Sequence, residues 1–112
     1  MIKAVFYCTD EKKIQAFEMS GHADSGPYGH DIVCAAASGL SISTLNNLER
    51  LLNVTPALEA DHENGGYLKA ELHDLPEETE AFAQLLLKHL YYSLLDVSEE
   101  YADHIQVVIH KV

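Results

Sequence analysis

Two side chains in the first third of the sequence are of the types that covalent peptide chemistry needs. The run Ser20-Gly21-His22-Ala23-Asp24-Ser25-Gly26-Pro27-Tyr28-Gly29-His30-Asp31-Ile32-Val33-Cys34-Ala35-Ala36-Ala37-Ser38 joins a histidine to a cysteine through a glycine-rich segment. A thiol at the start of a helix meets free backbone N–H groups and the positive end of the helix dipole, and both favour the nucleophilic thiolate. An imidazole within hydrogen-bond reach holds that thiolate as an ion pair and then protonates a leaving amine. Cys34 is therefore the candidate nucleophile and His22 its base. The amides of the first helical turn, left unpaired by helix geometry, are candidate donors to the oxyanion of a tetrahedral intermediate.

The residues around this pair divide between catalytic and plainly structural readings. Asp31, three positions before Cys34, either orients His22 or caps the helix. Ser38, one helical turn after Cys34 on the same face, either touches the thiol or bonds the Cys34 carbonyl. Gly21 adjoins His22 as a supporting residue. Residues 23–30 are dense in Gly, Pro and polar side chains, which predicts a loop serving as a lid, with Gly26, Tyr28 and Gly29 as its substrate-facing members. Cys8 lies in a strand pattern without such a setting and reads as structural. Zinc bound by His22, His30 and Cys34 is an alternative, since two imidazoles and a thiolate leave one position open. That spacing matches no common metal signature, and the leading reading takes no metal and no cofactor. His62, His73, His89, His104 and His110 are scattered singly and read as solvated or core residues.

The elements that must position the pair follow from the hydrophobic pattern. Residues 2–9 and 13–20 alternate apolar and polar side chains around Asp10-Glu11-Lys12, predicting a hairpin of two strands. Residues 32–53 form the first helix, with Leu45, Leu48 and Leu52 at helical spacing and small residues from Ala35 to Gly39. Residues 54–62 and 67–73 flank Glu63-Asn64-Gly65-Gly66, a turn composition that gives strands three and four. Pro76-Glu77-Glu78 opens a second helix running to about residue 97, its acidic residues at the positive end of the dipole. Phe82, Leu85, Leu86, Leu90, Tyr91, Leu94 and Leu95 spread beyond one stripe of that helix, so it needs burial on two sides, in the core or against a second subunit. Residues 104–112 make a fifth strand. The order β-β-α-β-β-α-β predicts a single α+β domain over residues 1–112, an antiparallel or mixed sheet packed with two helices.

The totals bound the partners. The chain has 112 residues, 47% of them apolar, enough for one core and too few for two. Its net charge of −11 disfavours direct nucleic-acid binding, which Lys and Arg drive, and favours a basic partner. No run approaches the roughly 20 apolar residues of a membrane helix. Two widely spaced cysteines without Cys-x-x-Cys pairing fit the reducing cytoplasm.

Gly21-His22-Ala23, Gly26, Gly29, Asp31-Ile32-Val33-Cys34-Ala35-Ala36 and Ser38 resemble the motif of the bacterial ribosomal-processing cysteine protease family, Prp. The resemblance extends over the whole chain in length and element order. It implies a homodimeric α+β endopeptidase that removes the short N-terminal extension of a large-subunit ribosomal protein, number twenty-seven, during ribosome assembly, cutting after a pair of phenylalanines. It carries the family's catalytic histidine and cysteine onto His22 and Cys34, and its motif Asp and Ser onto Asp31 and Ser38. A basic ribosomal substrate also gives the acidity a role in steering. The contrasting reading is a non-enzymatic acidic module that captures a basic ribosomal protein, with the thiol incidental.

Overall fold

The computed structural model describes residues 1–27, 31–61 and 65–112. In it the alternating segments become β1 (Ile2–Cys8) and β2 (Ile14–Ser20), and β3 (Ala57–Ala60), β4 (Tyr67–Glu71) and β5 (Ile105–Lys111) complete one sheet in the order β3-β4-β2-β1-β5. The sheet is mixed: β1–β2, β2–β4 and β3–β4 are antiparallel, and β5 runs parallel to β1. Helices α1 (Ile32–Leu52) and α2 (Glu77–Glu100) supply the crossovers. The predicted element order and mixed sheet are those observed.

Period-two alternation decides which face is covered. Ala4 opposes Met19 and Phe6 opposes Phe17 across the β1–β2 ladder, and all four are buried with Val33, Ala37 and Leu48 of α1 and Leu87, Leu90 and Leu94 of α2. Phe6 stacks near Phe17 and meets the Tyr91 ring edge-on, with centroids 6.0 and 5.2 Å apart. Each such aromatic or leucine side chain contributes about 1.5–3 kcal/mol by leaving water. The opposite face carries Tyr7, Glu18 and Tyr67, and both tyrosine hydroxyls donate to the Glu18 carboxylate, at 3.0 and 2.8 Å. Those hydrogen bonds, with burial and the Glu18 charge behind them, push the Tyr67 phenol up to about 12.

Several boundaries differ from the sequence pattern by one or more residues, β4 for instance ending at Glu71 rather than at residue 73, and three of the differences are instructive. The third strand, expected over residues 54–62, starts only at Ala57 because Val54 is engaged by the helix end, its N–H bonding the Leu48 carbonyl at 3.0 Å, and because Pro56 has no N–H to give a ladder; residue 62 lies outside the described residues. Helix α1 stops at Asn53, which takes the left-handed conformation (φ 57°) that asparagine tolerates. Helix α2 runs a turn further than the pattern suggests, to Glu100, and starts with Glu77, Glu78 and Glu80 in its first turn as expected.

The two-sided apolar face of α2 is half satisfied within the chain. Leu90 and Leu94 are fully buried, whereas Phe82, Leu85 and Tyr92 remain 51–66% exposed on the outer side. A bulge between Tyr7 and Cys8 shifts the β1–β2 register at Ile14. The buried Gln84 of α2 fills the gap, its carboxamide accepting from the Ile14 N–H and donating to the Ile14 carbonyl, both at 2.8 Å. Among the described residues no helix is long and apolar enough to cross a membrane.

Candidate active site

Cys34 lies in the first turn of α1 because Asp31 starts the helix there. The Asp31 carboxylate accepts from the Val33 and Cys34 N–H groups, each at 3.0 Å, and the Asp31 carbonyl takes the Ala35 N–H at 3.0 Å. The Asp31 carboxylate also accepts from the Ser25 N–H at 2.8 Å and from the Ser25 hydroxyl. The Ser25 hydroxyl first, then the Cys34 amide, hold the Asp31 carboxyl well below the usual carboxylate range. Burial opposes them, and the Ser25 and Val33 amides add to the effect. Of the two roles read from the sequence, this geometry gives Asp31 the cap: its carboxylate bonds Ser25, Val33 and Cys34.

The cap corrects one expectation. The N–H groups of Val33, Cys34 and Ala35 are already bonded, so they do not stand free for an oxyanion. The sulfur finds its donor elsewhere: the Ala23 N–H points at Cys34 Sγ, 3.3 Å away. Ala23 is 1% exposed, and its carbonyl is bonded by His104 Nδ1 at 2.9 Å. A histidine just before β5 thus pins the residue that follows His22.

His22 stands two residues beyond β2 on a backbone that requires two glycines. Gly21 has φ +86°, and a side chain there would run into the Met1 carbonyl. Its N–H bonds the Gly66 carbonyl at 2.8 Å, which ties the end of β2 to the turn before β4. Gly66, with φ +74°, lies under the imidazole, and a Cβ there would come within 2.7 Å of His22 Nε2. A side chain there would push the exposed ring aside, and the positive φ is one that glycine adopts without strain.

His22 and Cys34 line one open groove of about 1220 Å³ between α1 and the β3–β4 edge. Gly21, Gly26, Asp31 and Ser38 also line it. Among the described residues no hydrogen bond joins the imidazole to the sulfur. Tyr28, Gly29 and His30 lie outside the described residues, so the far half of the loop and the third member of the zinc alternative do too. The near half is anchored through Ala23 and Ser25. Cys8 behaves as the strand pattern implied: it is half-buried, and burial pushes its thiol up against the opposing influence of Lys88.

Gly66, Ser25 and His104 are parts of the site that sequence reasoning missed. Gly66 carried a signal only as a turn residue, and Ser25 only as one polar residue of a loop. His104 carried none, because it meets Ala23 across 81 positions of chain.

Comparison with known proteins places this geometry in a family. Residues 1–106 match the family model described as cysteine protease Prp. The chain is 36% identical over 107 residues to the ribosomal processing cysteine protease Prp of Staphylococcus aureus strain Mu50, covering 96% of this chain and 97% of the relative. It is 33% identical over 108 residues to the protein of the same name from Bacillus subtilis strain 168, covering 96% of each. Among solved structures, the fold superposes with a TM-score of 0.89 on the S. aureus protease Prp in complex with a covalently linked product peptide, at 35% identity over 98% of this chain and 100% of that one.

Proposed function

The chain belongs to the cysteine protease Prp family, and from that premise we propose that it removes the N-terminal extension of large-subunit ribosomal protein number twenty-seven, with Cys34 as nucleophile and His22 as general base. The observation that carries this reading is the Ala23 N–H bonded to Cys34 Sγ at the head of α1, on the wall of a groove that His22 shares. A solved relative holding a covalently linked product peptide agrees with a covalent route.

In that route His22 takes the thiol proton, and the sulfur attacks the carbonyl carbon of the scissile bond. As the tetrahedral intermediate collapses, His22 returns the proton to the departing amine and a thioester remains. A water that gives its proton to His22 then hydrolyses the thioester and restores the thiol. Catalytic hydrogen bonds commonly tighten only when substrate is bound, so the unbonded imidazole is compatible with this role. The Ala23 N–H, aimed at the sulfur, is a backbone donor close to where an oxyanion forms.

Membership of a cysteine protease family displaces both the non-enzymatic module and the zinc hydrolase weighed from the sequence. Ser38, exposed on the groove wall one turn after Cys34, and the loop over residues 23–30 act on the bound peptide in this reading. The enzyme works in the cytoplasm as a homodimer, for which the open Phe82, Leu85 and Tyr92 side of α2 is the candidate seam. Incubation with the extended ribosomal precursor yields the shortened protein, and Cys34→Ala abolishes that product. A Cys34→Ala protein that cleaves as fast as the parent overturns the assignment.

A further inference from the structure

The backbone donor that serves the sulfur is itself held from the far end of the chain. Ala23 bonds through both of its polar atoms: its N–H points at Cys34 Sγ, 3.3 Å away, and its carbonyl meets His104 Nδ1 at 2.9 Å. A carbonyl only accepts, so the ring nitrogen facing it carries the proton. His104 is fixed in turn by its own backbone. Its N–H bonds the Tyr101 carbonyl and its carbonyl takes the Ile2 N–H, each at 2.9 Å. The end of α2 and the start of β1 thus set where this imidazole stands.

The segment that His104 holds is one that needs holding. Asp24, next along, has φ 54°, a left-handed conformation that aspartate visits more readily than most side chains yet still at a cost. The Ala23 carbonyl belongs to the planar unit joining Ala23 to Asp24, so the His104 bond fixes the orientation that imposes this φ. Without that bond the unit is free to rotate and return Asp24 to a negative φ, and the Ala23 N–H loses the brace that keeps it on the sulfur. A hydrogen bond to a charged acceptor is stronger than one to a neutral acceptor, so this N–H favours the thiolate over the thiol. We infer that His104 is a positioning residue for the nucleophile: its Nδ1–H, on the Ala23 carbonyl, keeps the Ala23 N–H directed at Cys34 Sγ. That Cys34 acts as a nucleophile rests on the peptidase reading above.

Replacing His104 by each of two amides tests it. The asparagine amide nitrogen is as many bonds from the backbone as Nδ1 of histidine, whereas that of glutamine is as many as Nε2. Iodoacetamide labelling of Cys34 at neutral pH is the readout, with Cys8 of the same chain as the reference. His104→Leu and His104→Gln label Cys34 roughly tenfold more slowly than the parent, the effect of one hydrogen bond to a thiolate, and leave Cys8 unchanged. His104→Asn, which returns the donor to its place, restores the parental rate. On the extended ribosomal precursor kcat follows the same order while KM holds, because the contact serves the sulfur and not the bound peptide. A position that merely needs a polar side chain treats the two amides alike. Equal Cys34 labelling in His104→Asn and His104→Gln, whether both fast or both slow, therefore overturns the inference, even where His104→Leu fails to fold. Labelling needs no substrate, so a parent that cleaves no precursor brings down the peptidase reading without altering this comparison.

Discussion

Asp31 and Ala23 divide between them the two jobs that the start of α1 was expected to do. The Asp31 carboxylate neutralises the first-turn amides, and the Ala23 N–H serves the sulfur. The folded-state value of Asp31 lies below its ordinary value of 3.8, so the stability it contributes is complete above that pH and is lost as the pH falls below it. Asp31→Asn keeps an oxygen for the cap but removes the charge. Urea unfolding of the parent therefore weakens more steeply between about pH 4 and pH 2 than that of the variant, and parallel curves would contradict the cap account. At this scale the sequence was legible where chemistry is local: Cys34 follows a capping residue, and His22 follows a strand within the same segment. It was silent on His104 and Gly66, whose roles come from long-range contact with Ala23 and His22.

The β1–β2 hairpin and α2 are joined by a polar contact inside an otherwise apolar layer. Gln84 bonds both the Ile14 N–H and the Ile14 carbonyl beside the bulge. Gln84→Leu fills a similar volume but strands both groups in the core. It should lower unfolding free energy by about 3 kcal/mol in chemical denaturation, and a loss under about 0.5 kcal/mol, the size of an ordinary surface change, would show that the pairing contributes little. Period-two and period-3.6 patterns located six of the seven elements through a buried face, whereas β3, whose four residues are all exposed, was legible from the turn composition before β4. The start of β3 was misplaced because Val54 and Pro56 are buried by the turn out of α1, and burial alone does not distinguish a strand from the connection before it. The parallel pairing of β5 with β1 was left open between antiparallel and mixed, since alternation reports a strand's face and not its direction.

Across the whole molecule, charge and shape act on the same partner. A net charge of −11 surrounds a groove whose wall includes Asp24 and Glu49, an arrangement that would steer the proposed basic substrate towards Cys34. Raising ionic strength from about 50 to 300 mM should lower kcat/KM for the precursor by roughly threefold or more while kcat changes little; a salt-independent kcat/KM would remove steering from the account. The central claim, a thiol at the head of α1 activated by the histidine beyond β2, is tested most directly by iodoacetamide labelling at neutral pH, with Cys8 as the internal reference. In the parent, Cys34 is alkylated well ahead of Cys8 and of a model thiol, and His22→Ala slows Cys34 towards the model rate. Labelling of Cys34 no faster than the model thiol, with or without His22, would contradict it.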